Sequence, residues 1–542
     1  AIAACARAVT RTYRTPPSEH AFLEPEAALA VPDGEHLILY CAGQGIYHAR
    51  RECARILGVA EESITVVGCP VGGGFGGKED VTVQHHASLL AKQTGRAVKV
   101  VFSRAESMLV HAKRHPMELT FTTACDENGL LTAVKARIVA DTGAYASLGF
   151  PLIQRCCTMA PGPYRVKNVD ITGLSVYTNN PPGGAYRGFG AAQSCFAAES
   201  NLNLLAKECG ISPWEIRYRN ALLPGDTLYN GQTVDSSAAI RETLLAVREV
   251  YERSPHAGIA CAIKNSGLGV GAPDYGRMSI LIRNGIAEIH CAAGLIGQGA
   301  ETALRQMVGT ASGLPSRLLV WALPDTDTAP PTGDATASRQ TVVVGEAARR
   351  AGEALRKRLD EAAPGRPAEE QLRAIEGEQI EGVYLAETDR LGTAKEHPVH
   401  HVAYSYATQV AVLGDDGRVE RIAAAHDVGR AINPASVEGQ IEGGVAMSFG
   451  FALTERYEVK NCIPPTRFGS VRIPRATDLP QIEPILVEQS ELILALGAKG
   501  IGEIASIPTA AALAGAYESL DGIHRDSLPL RKTPYTRDLE KR

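Results

Sequence analysis

Two hydrophobic periods alternate along this chain, and glycine marks most of the changes between them. Residues 97–102, 118–124 and 131–140 carry the period-two alternation of half-buried strands. The last two flank Asp126-Glu-Asn-Gly129, which predicts a hairpin turn. Helical stripes cover 194–209, stopping at Gly210 as a C′ residue, and 236–253, with Ser236 or Ser237 as N-cap. Further helices are predicted over 299–308, closed by Gly309, and over 346–362. A last one runs from Pro508, read as an N1 proline, to Leu520. Residues 364–378 are polar and charged, an exposed helix or loop. The mixture predicts an α+β fold. Ser254-Pro-His-Ala-Gly258 follows a long charged helix, so we divide the chain into domains 1–254 and 255–542. No clean short repeat is visible, although each half holds a Gly-Gln or Gly-Glu loop ahead of a helix.

Composition narrows the class. Of 542 residues, 45% are hydrophobic and 21% charged, as in ordinary globular proteins. The net charge of −5 argues against a nucleic-acid or membrane-surface binder. No apolar run reaches the roughly 18 residues of a membrane helix. The chain begins Ala1-Ile-Ala-Ala-Cys5 and continues into arginines, so a signal peptide is not expected and a processed product or fragment is. None of the 12 cysteines is spaced CxxC, so zinc or iron–sulfur binding by this chain is not supported. Scattered thiols fit a reducing, cytoplasmic setting, and Cys156-Cys157 reads as two core thiols.

The 54 glycines gather in discrete loops. Residues 72–78 match G-x4-G-K, but the next residue is Glu79, where a phosphate loop needs Ser or Thr. The same run reads G-x-G-x-x-G, yet no acidic residue follows at the spacing that holds a ribose. Loops 185–193, 294–302, 334–341 and 497–503 each stand ahead of a helical pattern, whose free N–H groups attract anions. Two loops end on carboxylates, Glu79 and Glu503, which are candidates for base or substrate clamp.

GGGFGGKE at 72–79, AYRGFGAAQ at 185–193, GQGAET at 297–302 and GAKGIGE at 497–503 occur in the order of one family. The chain resembles the molybdopterin-binding large subunit of the xanthine dehydrogenase/aldehyde oxidase family of molybdenum hydroxylases. EHAFLEPE at 19–26 is similar to the family's opening segment into its molybdenum-binding region. The resemblance implies two elongated molybdopterin-binding domains of mixed sheets and helices, without the α/β hammerhead domain that normally precedes them. It implies a hammerhead domain on a separate chain or outside this one. It also implies partner chains carrying 2Fe-2S and FAD, and a pterin that carries the molybdenum through its dithiolene, with cytosine dinucleotide as one form.

The resemblance also assigns roles. Glu503 resembles the general base, which takes a proton as water-derived oxygen attacks an electron-poor carbon. Glu79 resembles the acidic residue that hydrogen-bonds the heterocycle in purine-oxidising members, and Arg155 the arginine facing it. Gln44 resembles the glutamine that reaches a ligand of the molybdenum. Gly74, Phe75 and Gly76 would bring backbone to the cofactor, Arg187 would lie near it, and Phe189 would stack on substrate. Gln298, Ala337, Ser338, Gln340, Gln440, Lys499 and Gly500 would contact the pterin, and residues 427–442 would wrap its nucleotide tail. A second stacking aromatic is expected near 258–264, where this chain has none. Residues 141–149 and 466–470 look most like the bacterial selenium-dependent xanthine dehydrogenase group, with nicotinate dehydrogenase as near neighbour. The implied activity is hydroxylation of a purine-like heterocycle. Nicotinate, aldehyde or aromatic-thioester chemistry, or a non-catalytic cofactor-binding subunit, are the alternatives.

Overall fold

The computed structural model describes residues 2–489 and 491–536, and they form four four-stranded sheets. Each sheet pairs its strands in one pattern: antiparallel, antiparallel, parallel. In the first, Arg7–Thr15, Met117–Cys125, Leu131–Gly143 and Asn168–Tyr177 lie side by side in that order. A smaller sheet of Val98–Val101, Ala27–Asp33, His36–Cys41 and Ile64–Gly68 is inserted between its first two strands. The second half repeats the plan. Ala257–Ser266, Ala403–Leu413, Val419–Asp427 and Gln481–Val487 form the large sheet. Gln379–Leu385, Tyr275–Arg283, Ile286–His290 and Leu319–Trp321 form the inserted one. The chain is thus one topology used twice. The copies share strand order and loop positions but few residues, which is why no period shows in the sequence.

Helices fill matching places. Ile46–Leu57 and Gln84–Thr94 cover the first small sheet, while Ala300–Ser312 and Gly345–Ala362 cover the other. Helix Ala191–Cys209 packs on the first large sheet, Thr509–Asp521 on the second, and the two helices touch. Among the described residues no sheet crosses residue 254, but a hydrophobic cluster does: Phe121, Phe196, Phe449 and Leu513 share it.

The predicted strands and the helices ending at Gly210 and Ala362 are present, with ends shifted by a few residues. Three expectations need correction. The helix over 236–253 is two pieces, Ile240–Ala246 and Arg248–Arg253, broken at fully buried Val247. It starts late because Ser237 is bound back to Asp235 by both its N–H and its hydroxyl. The helix expected to stop at Gly309 continues to Ser312 and ends at Gly313. Small residues here let two helices approach closely; a Cβ on Gly352 would stand 2.7 Å from Ala311 Cβ. Pro508 precedes the last helix as its cap and not as its first residue. Strands Ala257–Ser266 and Ala403–Leu413 are buried at every position, so they show no alternation to read.

Candidate active site and cofactor cradle

Six loops converge on one cavity of about 430 Å³, within the usual size for ligand sites. Each follows the carboxyl end of a strand and leads into a helix, the place where open α/β sheets bind ligands. Loops 41–45, 71–79 and 185–190 come from the first half; 294–299, 334–339 and 497–503 come from the second.

Gln44 ties three of them together. Its Oε1 accepts the Gly76 N–H at 2.9 Å and the Lys78 N–H at 3.4 Å. Its Nε2 donates to Ala335 O at 2.7 Å and to Glu79 Oε1 at 3.4 Å. The 71–79 loop then meets the 185–190 loop backbone to backbone, with Arg187 N–H donating to Phe75 O at 2.9 Å. Only glycine fits that crossing. Gly76 has φ 101°, and a Cβ there would stand 2.7 Å from the Ala185 carbonyl carbon.

Four non-glycine residues facing the cavity lie in the left-handed region: Phe75 (φ 54°), Phe189 (43°), Ala337 (49°) and Ser338 (49°). Strain of this kind costs about 1–3 kcal/mol per residue and clusters where a ligand is gripped. Helices Ala300–Ser312 and Pro434–Leu453 begin at the wall, and so does the helical run from Gln340. The Ala300–Ser312 end has no side-chain cap and suits an anionic ligand, whereas Asn433 Oδ1 already accepts the Ser436 N–H of Pro434–Leu453. Arg430 lines both this cavity and an adjoining one that also holds Arg305.

Glu503 presents its carboxylate at the wall. Its N–H donates to Ser338 Oγ at 3.1 Å, and that hydroxyl donates back to Oε2 at 3.3 Å. Behind it, Lys264 Nζ stands 3.1 Å from the same Oε2. Glu79 faces the same space. Part of its residue surface is open to the cavity, yet the carboxyl group is enclosed. Burial raises its pKa to about 8; Thr336 opposes this by hydrogen bond, while Asp334 and Glu503 add to it. Glu79 is therefore mainly a neutral acid at pH 7. Arg187 donates through Nε to Gly502 O and through Nη2 to Gln440 O at 3.0 Å, binding loop 497–503 and helix Pro434–Leu453 to the first half. Burial lowers its pKa to about 10, with Glu503 opposing, and it stays charged at neutral pH. Gln298 donates to Gln340 Oε1 at 2.6 Å and to Gly294 O at 2.8 Å.

Fourteen residues named from sequence thus line one cavity: Gln44, Phe75, Gly76, Glu79, Arg187, Phe189, Gln298, Ala337, Ser338, Gln340, Gln440, Lys499, Gly500 and Glu503. Three of the named residues sit differently from the roles given them. Gly74 lies beneath the wall, where a Cβ would meet Gln44 Oε1 at 2.6 Å. Arg155 is also behind it, donating to His401 Nε2 at 2.6 Å and to Leu268 O at 2.7 Å. His401 can accept because burial, Arg155 and Lys264 hold its pKa far below the usual histidine value. Lys499 brings backbone to the cavity, but its ammonium is committed to Asp427 Oδ2 at 2.7 Å and Ser237 O at 2.6 Å, with both charged side chains fully buried. Lys264 escapes sequence reading. A lone lysine directly after the apolar run 257–263 is the signal that could have found it, since lysine is almost never buried unpaired.

The cradle suits a cofactor that brings its own metal. Among the described residues the cluster with metal-ligand spacing is Glu19, His20 and His111, which lies outside the cavity. That cluster is tied internally: His111 Nε2 lies 2.8 Å from Glu19 Oε1, and Lys113 Nζ 3.1 Å from Glu19 Oε2. It buttresses the glycine loops, with His20 Nε2 2.8 Å from Ala185 O and Phe22 beneath the Lys78 ammonium.

Comparison with known proteins agrees with this architecture. Two family models, both described as molybdopterin cofactor-binding domain, match residues 1–221 and 246–480. A probable xanthine dehydrogenase subunit from Bacillus subtilis is 32% identical over 96% of this chain and 75% of its own length. The nicotinate dehydrogenase large molybdopterin subunit of Eubacterium barkeri is 40% identical over 45% of this chain and 58% of its own. The structure of aldehyde oxidoreductase from Desulfovibrio gigas superposes with a TM-score of 0.90 at 26% identity, covering 97% of this chain and 60% of that one. With two molybdopterin-binding domains joined around a single cradle, the chain belongs to the molybdopterin-binding large subunits of the xanthine dehydrogenase/aldehyde oxidase family, which are molybdenum-dependent oxidoreductases.

Proposed function

We propose that this chain hydroxylates an electron-poor, purine-like N-heterocycle such as xanthine or hypoxanthine, with water as oxygen source. The observation that carries the reading is the pair of dissimilar carboxyl groups in one cavity: Glu79, held protonated by burial, and Glu503, held against an ammonium. A carboxyl raised by burial beside one that faces an ammonium fits an acid/base division of labour. When bound, the molybdenum–pterin group supplies the redox chemistry. Glu503 takes a proton beside the reacting carbon. Glu79 donates a hydrogen bond to the ring and Phe189 offers a face for stacking. Gln44, Gln298, Gln340, Gln440, Ala337, Ser338, Gly500 and the helix N-termini hold the cofactor. Arg155 acts from behind the wall, as a fixed positive charge. We also propose the cytosine dinucleotide form, its phosphates beside Arg430 and Arg305 in the adjoining cavity.

The same reading divides the chain at 254/255 into two cofactor-binding domains. It adds 2Fe-2S and FAD partner chains, a hammerhead domain supplied outside these residues, selenium on the cofactor, and a cytoplasmic setting in purine metabolism. Relatives named as subunits support the partners. Among the described residues no helix is long and apolar enough to cross a membrane.

Nicotinate is the second substrate reading, supported by the 40% identity over 246 residues to a nicotinate dehydrogenase subunit. Metal analysis of the purified complex, followed by turnover on xanthine, nicotinate and an aldehyde, tests both. The reading holds if xanthine is preferred and Glu503→Gln abolishes turnover. Aldehyde preference, or full turnover in the variant, overturns it.

A further inference from the structure

Lys264 has no role in the reading above except as a neighbour, and its placement is unusual. It stands on strand Ala257–Ser266, which is buried at every position, and its side chain is 2% exposed. Its ammonium reaches Glu503 Oε2 at 3.1 Å and Asn265 Oδ1 at 3.1 Å. The pair is lopsided: Glu503 keeps 12% of its side-chain surface, on the cavity side, while Lys264 is sealed behind it. Burying an ammonium is costly, so a pair serving the fold alone gains little over an apolar one. Here the hidden charge is spent on the carboxylate that ends loop 497–503.

We propose that Lys264 is a positioning residue, the buried counter-ion that locks the Glu503 carboxylate in the orientation that faces the cavity. This rests on reading Glu503 as the base. Ser338 alone would leave Oε2 one neutral hydrogen bond. The charged groups facing Lys264 are Glu503 from the cavity loop and Arg155 from helix Gly149–Met159; neutral His401, ahead of strand Ala403–Leu413, stands beside them. Burial lowers the Lys264 pKa to about 8, Glu503 opposes this and Arg155 adds to it. The support for Glu503 therefore fades as pH rises past about 8.

The test is a set of variants in the full complex: Lys264→Met, Lys264→Arg, Glu503→Gln, and the Met/Gln double. We expect Lys264→Met to lower kcat by about 10- to 100-fold, part of the usual general-base contribution, with KM changed less than about threefold. The alkaline limb in kcat near 8 should vanish in this variant. Lys264→Arg, which keeps the positive charge, should restore most of kcat. A second readout needs no turnover. In the complex prepared without its pterin, each single variant should melt earlier than the double predicts by addition, because each leaves one buried charge alone. An unchanged pH profile with additive melting shifts overturns the proposal. If Lys264→Met fails to assemble, the melting of the double variant still decides it. Full turnover in Glu503→Gln would instead overturn the assignment of the base, while the melting cycle still reports the pair.

Discussion

Ser338 Oγ sits between two atoms of Glu503, accepting from its backbone N–H at 3.1 Å and donating to its Oε2 at 3.3 Å. The hydroxyl thus ties both ends of one residue to a loop from a different part of the second half. Ser338 holds φ 49° to do so.

Ser338→Ala should therefore act on the chemical step. A hydrogen bond to a charged group contributes about 1.5–3 kcal/mol, so kcat should fall about 10- to 100-fold while KM stays within a few-fold. Steady-state kinetics of the assembled enzyme checks this. A rise in KM at unchanged kcat would show that the serine serves binding only.

Glu79 gives a pH signature. Its folded pKa is raised to about 8 from an ordinary 4.5. The stability it contributes is fully present below 4.5 and is lost as pH rises through about 8. Melting of the substrate-free protein should decline across that window, and Glu79→Gln should flatten the decline. If the neutral acid is what greets the substrate, KM should climb above pH 8 in the parent and not in Glu79→Gln.

Asp427 and Lys499 predict a large structural effect. Asp427→Ala strands the Lys499 ammonium in the core without a counter-charge, beside Ser237 O and the Tyr406 ring. Breaking a buried pair on one side costs about 3–5 kcal/mol. Denaturant unfolding of the complex should show it, and Asp427→Ala/Lys499→Met should recover most of the loss.

Gly76→Ala should separate the two glycine loops. The new methyl meets the Ala185 backbone at 2.7 Å, and φ 101° is hostile to any side chain. The Phe75–Arg187 bond should fail, and molybdenum content per chain should fall well below the parent's. Normal metal content would mean the loops need not touch to form the cradle.

The glycine loops are legible in the sequence because their conformational demands write themselves into residue type: φ 101° at Gly76 leaves little choice but glycine. The carboxylates at their ends are legible by position, and Glu79 and Glu503 do share a wall. Lys499 misleads for the opposite reason. A lysine's reach exceeds its loop, and nothing local says that the ammonium turns back to Asp427. Arg155 and Lys264 are obscured by the fold itself, since what they face comes from more than a hundred residues away. The doubled topology is invisible because strand order survives changes that erase residue likeness.

That doubling bears on how the protein comes to hold anything. Each large sheet is interrupted after its opening strand, from Thr15 to Met117 in one case and from Ser266 to Ala403 in the other. A nascent chain must keep an unpartnered strand waiting while the insert is made, and such distant pairings form slowly. The cradle closes only when Gly502 and Glu503 dock on Arg187 and Lys264. A break in either half therefore costs the cavity as well as the local fold, because its walls are joined by a contact that spans 315 residues of sequence.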